Sequence, residues 1–108
     1  MFSFEGIGTR TDEIQVMDQI QRLHIVYSGQ VQGVGFRFVA ERIALQLGLT
    51  GFVKNLSNGN VEVVCEGSRQ QLETFLREIG ENLYGYIGDS HIEWENARDE
   101  FRSFEIRF

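Results

Sequence analysis

Ten residues hold most of the chemical potential of this chain: Ser28-Gly29-Gln30-Val31-Gln32-Gly33-Val34-Gly35-Phe36-Arg37. Glycines at 29, 33 and 35 let a loop turn its main-chain N–H groups inward as a nest, and a helix beginning behind it adds further donors at the positive end of its dipole. Such a cradle suits the oxygens of a phosphate. Arg37, in the first turn of that helix, can add a bidentate guanidinium contact to the same anion. A glycine-rich loop by itself also suits a mere tight turn, with Arg37 a solvated helix residue. The loop lacks the Lys-Ser/Thr ending of a nucleotide P-loop, and its glycine spacing is not that of a dinucleotide site. Charge favours the anion: residues 21–60 hold Arg22, Arg37, Arg42 and Lys54 against Glu41 alone, in a chain whose net charge is -6.

The elements that must position this loop follow from periodicity. Leu23, Ile25 and Tyr27 alternate with polar neighbours and predict a first strand ending at Ser28-Gly29. Phe36, Val39, Ala40, Ile43, Ala44 and Leu47 follow helical spacing, with Gly48 placed to cap the C-terminus. Leu49 to Asn55 and Asn60 to Glu66 read as two strands joined at Ser57-Asn58-Gly59, where Asn-Gly accepts the positive φ values of a tight hairpin. Ser68 and Gln71 form a capping box for a second helix striped by Leu72, Phe75, Leu76 and Ile79 and ending near Gly80. Ile92 and Trp94 alternate in a fourth strand, and Phe104, Ile106 and Phe108 share one face at the end. The order is β-α-β-β-α-β, with room for a short final strand: an α+β, ferredoxin-like α/β sandwich in which two helices cover one face of an antiparallel sheet.

Composition narrows the function. A chain of 108 residues, 42% hydrophobic and 24% charged, is one globular domain. A sequence pI near 4.8 argues against nucleic acid and anionic membranes as partners. Gly35-Phe36-Arg37-Phe38-Val39 superficially resembles an aromatic RNA-contacting motif, but it opens a helix rather than lying on a third strand. One cysteine excludes an internal disulfide framework, and Cys65 reads as a small buried hydrophobe. His24 and His91 lack metal-ligand spacing and read as structural. Trp94 and the C-terminal phenylalanines read as core. Glu41 and Arg42 could orient Arg37 or lie on a solvated face. No apolar run approaches a membrane span and no signal peptide opens the chain, so a cytoplasmic monomer is expected.

Gly29-x-Val31-Gln32-Gly33-Val34-x-Phe36-Arg37, then Leu47-Gly48-Leu49-x-Gly51-Phe52-Val53-x-Asn55, then Asn58-Gly59-x-Val61-Glu62 resemble the two signature motifs of acylphosphatases, in register from about residue 22 to Phe108. The resemblance implies hydrolysis of acyl phosphates to carboxylate and inorganic phosphate. It implies that the loop Gln32, Gly33, Val34, Gly35, Phe36 and Arg37 binds the phosphate and that Asn55 orients the attacking water. It departs from the family only at Phe52, where tryptophan is common, and at Asn58, where aspartate often begins the turn. No metal or cofactor is expected, and inorganic phosphate or sulfate should compete with substrate. The chemistry is self-consistent: the carboxylate leaving group has a conjugate acid of pKa about 4, so no general acid is required. The alternatives are a non-catalytic anion-binding or regulatory module on the same fold, and the acylphosphatase-like domain of a larger carbamoyl-transfer protein. Residues 1–16 lie outside the resemblance, so the domain is taken as 17–108. The extension reads either as a mobile tail or as a short helix capped by Thr11 and carrying Ile14, Met17 and Ile20, and Met17 is a second candidate start.

Overall fold

The computed structural model describes residues 19–108. Thr11, Ile14 and Met17 lie outside the described residues, whereas Ile20 opens a strand rather than continuing a helix. The chain runs β1 (Ile20–Gly29), α1 (Phe36–Leu47), β2 (Thr50–Asn55), β3 (Val61–Ser68), α2 (Arg69–Asn82), β4 (Ile87–Asn96) and β5 (Phe104–Arg107). The strands form one sheet in the order β4-β1-β3-β2-β5. Helix α1 begins at Phe36 and stops at Gly48, whose φ of 76° is the left-handed cap its sequence calls for. Helix α2 begins at the capping box formed by Ser68 and Gln71 but runs past Gly80 to Asn82. Gly80 faces open space, and one interior glycine does not end a helix whose apolar stripe is seated.

Alternation decides the layers. Leu23, Ile25 and Tyr27 of β1, Val61, Val63 and Cys65 of β3, Val53 of β2 and Phe104 of β5 are all buried, against Ala40, Ile43, Ala44, Leu72, Phe75 and Ile79 of the helices. Fully burying a side chain such as Phe75 is worth about 2 kcal/mol or more, so this layer holds the fold together. Both helices cover one face. The opposite face carries the intervening residues, among them Arg22 and Glu66, the two buried charged side chains among the described residues.

Three expectations need correction. The sheet is mixed: β2 pairs parallel with β5, Val53 opposite Ile106, while every other pairing is antiparallel. The chain leaves β4 at one edge and reaches the other edge by crossing the face away from the helices, so β5 arrives parallel to β2. Glu66 pins that crossing, accepting from Arg98 N–H at 2.8 Å, Asp99 N–H at 3.0 Å and Arg22 Nε at 3.0 Å. Phe101, on the same crossing, meets Phe52 edge-on at 6.0 Å. Second, Asn58 does not take positive φ in the β2–β3 hairpin. Gly59 alone does, at 95°, closing the turn through its N–H to Leu56 C=O at 3.1 Å, while Asn58 Oδ1 accepts from Asn60 N–H at 3.0 Å. Third, Phe108 is not core: it is 92% exposed, and Trp94 is only partly buried, with the Arg69 guanidinium 4.3 Å above its ring. No helix among the described residues is long and apolar enough to cross a membrane.

Candidate active site

The loop from Gln30 to Gly35 joins the end of β1 to the start of α1. Its first residue is tied down by Gln30 N–H to Tyr86 C=O at 2.9 Å. Gly33 and Gly35 both take left-handed φ, 79° and 81°, a conformation that costs a residue with a Cβ far more than glycine. Gly35 is the N-cap of α1, and no side chain caps this end. The first hydrogen bond that reaches back into the loop is Val39 N–H to Gly35 C=O at 3.1 Å. The N–H groups of the first turn therefore have no partner in their own helix, and no acidic side chain in that turn offsets the dipole.

Val34 and Phe36 serve the loop from behind. Val34 packs against the core, and Phe36 is 2% exposed, its ring 5.0 Å from that of Tyr27. Gln32 has a role that reading along the chain did not reveal: its Nε2 donates to Leu56 C=O and to Asn60 C=O, each at 2.8 Å. It thus fastens the loop to the hairpin that follows Asn55. No local signal marks this, since a glutamine in a loop pairs with whatever the fold brings beside it.

That bridge answers how β2, which is not adjacent to β1, meets the loop. A hollow of about 180 Å³ is lined by Val31, Gly33, Gly35, Phe36, Arg37, Phe38 and Asn55. Arg37 and Asn55, 18 positions apart, share one wall-to-wall space. No carboxylate, imidazole or thiol lines it. Among the described residues no side-chain hydrogen bond engages the Asn55 amide, so its donor and acceptor are both available to a guest. Arg37 is held from β5 rather than by Glu41 or Arg42: its Nη1 donates to Arg107 C=O at 3.4 Å and its guanidinium lies 4.7 Å over the Phe108 ring. Most of its donors remain free to face an anion.

The remaining reactive groups stand apart. Cys65 is fully buried, and burial first, then the neighbouring Glu66, pushes its thiol well above the ordinary range, so it is no nucleophile. The Tyr27 phenol is likewise pushed up, chiefly by burial, and its hydroxyl has no partner among the described residues. His24 pairs with Glu62 at 2.8 Å on the sheet face away from the helices, and His91 is exposed beside Glu93.

Comparisons with known proteins show a family and a fold. The family described as Acylphosphatase matches residues 23–106. An acylphosphatase of Geobacillus kaustophilus is 36% identical over 90 residues, covering 82% of this chain and 96% of that protein. One of Methanospirillum hungatei is 46% identical over 68 residues, 63% of this chain and 75% of its own. The crystal structure of an acylphosphatase from Bacillus subtilis superposes with a TM-score of 0.76 at 28% identity, covering 82% of this chain and 99% of that one.

Proposed function

This chain belongs to the acylphosphatase family, and we propose that Arg37 with the main-chain amides of residues 32–37 binds the phosphoryl group while Asn55 holds the water that attacks it. The overall reaction is hydrolysis of the carboxyl–phosphate bond of an acyl phosphate to carboxylate and inorganic phosphate. The hollow shared by Gly33, Gly35, Arg37 and Asn55 carries the assignment of roles.

Acyl phosphates suit a site with no acid, no nucleophile and no carboxylate. The leaving oxygen departs as a carboxylate of pKa about 4 for its conjugate acid, so the P–O bond breaks without protonation. Phosphoryl transfer then needs positioning and charge stabilisation. The bare N-terminus of α1 and the Arg37 guanidinium oppose the charge on the three phosphoryl oxygens. The Asn55 amide holds the water by accepting one of its hydrogens through the carbonyl and donating to its oxygen through the NH₂. Water oxygen bonds to phosphorus as the acyl oxygen leaves, and the water proton passes to a phosphoryl oxygen. Cradle, clamp and amide all come from one chain, which supports a monomeric enzyme, and a single buried thiol is consistent with the cytoplasm.

Benzoyl phosphate provides the test. The purified chain should release phosphate from it, followed by the fall in ultraviolet absorbance, with inorganic phosphate and sulfate as competitive inhibitors. Turnover with noncompetitive inhibition by phosphate would move the anion away from this hollow.

A further inference from the structure

We infer that the sheet face away from the helices carries a second, independent site, for a divalent cation of the zinc class, built from His24, Glu93 and Glu95. Leu23 and Ile25 are buried beneath the helices, so His24 between them stands on the opposite face. Register then assembles the ligands: Glu93 of β4 lies directly opposite His24, and Glu95 opposite Arg22, one diagonal step away. One ligand atom from each of His24, Glu93 and Glu95 falls within 4.8 Å of the other two.

The imidazole distinguishes this cluster from an ordinary acidic patch. His24 Nε2 lies 2.8 Å from Glu62 Oε2. A carboxylate can only accept, so a neutral ring carries its proton on Nε2 and presents the Nδ1 lone pair toward β4. A carboxylate behind the far ring nitrogen is the outer-shell arrangement that fixes tautomer and ring orientation in metal-binding histidines. Nδ1 lies 3.7 Å from Glu93 Oε1, too far for a hydrogen bond. It is close to the separation of about 3.4 Å between two donors bound at about 2.05 Å to one tetrahedral ion. Small rotations of Glu93 and Glu95, which are 53% and 33% exposed at the side chain, would complete three ligands and leave a fourth position for water. Their present partners are weak: Arg98 Nη2 lies 3.8 Å from Glu95 and the exposed His91 lies 3.3 Å from Glu93. One imidazole with carboxylates suits zinc, nickel or copper, whereas calcium and magnesium prefer oxygen alone. A bound ion would tie edge strand β4 to β1, on the other side of the sheet from the helices and apart from the anion hollow.

The whole chain, stripped with chelator and dialysed, is titrated with Zn²⁺ by calorimetry and with Co²⁺ by visible absorption. Saturable one-to-one binding is expected, with a rise in melting temperature on adding Zn²⁺ and unchanged kcat on benzoyl phosphate. His24→Ala should abolish binding, and Glu93→Gln, Glu95→Gln and Glu62→Ala should each weaken it about tenfold or more. Glu93 is exposed, so Glu93→Gln keeps the test valid even where His24→Ala fails to fold. Absence of saturable Zn²⁺ binding to the wild-type chain, or wild-type affinity in both Glu93→Gln and Glu95→Gln, overturns the site.

Discussion

At the start of α2, Ser68 Oγ accepts from Gln71 N–H at 3.1 Å and Gln71 Oε1 accepts from Ser68 N–H at 2.9 Å. At the start of α1 the corresponding position is Gly35, which has no side chain to offer, and no side-chain cap forms. Both helices face the same problem, a first turn of N–H groups without partners. Helix α2 solves it internally, and Gln71 Nε2 also donates to Leu47 C=O at 2.7 Å at the far end of α1. Helix α1 leaves it open and takes its stability from burying Phe36, Ala40, Ile43 and Ala44. The difference teaches where a small domain can place a binding function: at a helix end whose stability comes from packing, so that its donors are free for a guest.

Mutations can break this comparison, and Arg37→Ala should do most. The guanidinium lies at the mouth of the hollow and contributes little packing, so the variant should fold while kcat/KM falls about a thousandfold or more, a cost of the order of 4 kcal/mol at the transition state. Full turnover by a folded variant would remove α1 from the chemistry. Asn55→Ala comes next: kcat should fall about a hundredfold while calorimetry still finds phosphate bound, because only the water loses its holder. Normal kcat with much weakened phosphate affinity would instead make Asn55 part of the anion site.

Gln32→Ala tests what holds the bare helix end in register with the hairpin. The carbonyls of Leu56 and Asn60 lose their side-chain donor and keep the hairpin N–H groups of Gly59 and Leu56, so stability should fall by about 1 kcal/mol. A roughly tenfold drop in kcat should accompany it as Asn55 drifts from the cradle. Unchanged kcat in that variant would mean the hairpin keeps its place without the bridge. The smallest effect is expected at the other helix. Ser68→Ala should cost about 1 kcal/mol, a few degrees in Tm, and leave kcat untouched. Loss of activity in Ser68→Ala would show that the two helix ends are not separable in function.

What was legible along the chain is what neighbours a few positions apart decide. The start of α1 at Phe36, its glycine cap at 48, the capping box at 68 and 71, and the glycines that shape the loop before α1 follow from main-chain sterics and 3.6-residue spacing. Arg37 and Asn55 were legible for a different reason, because their motifs resemble those of a family. Periodicity alone could not bring them to one hollow, and the physical means, Gln32 reaching the Leu56 and Asn60 carbonyls, involves residues 24 and 28 positions away. The same limit explains the parallel pairing of β5, the exposure of Phe108 under Arg37, Glu66 as the anchor of residues 98 and 99, and Glu93 opposite His24. Each depends on strand order and register, which are chosen by the burial of the whole apolar layer and leave no trace in the spacing of the residues they bring together.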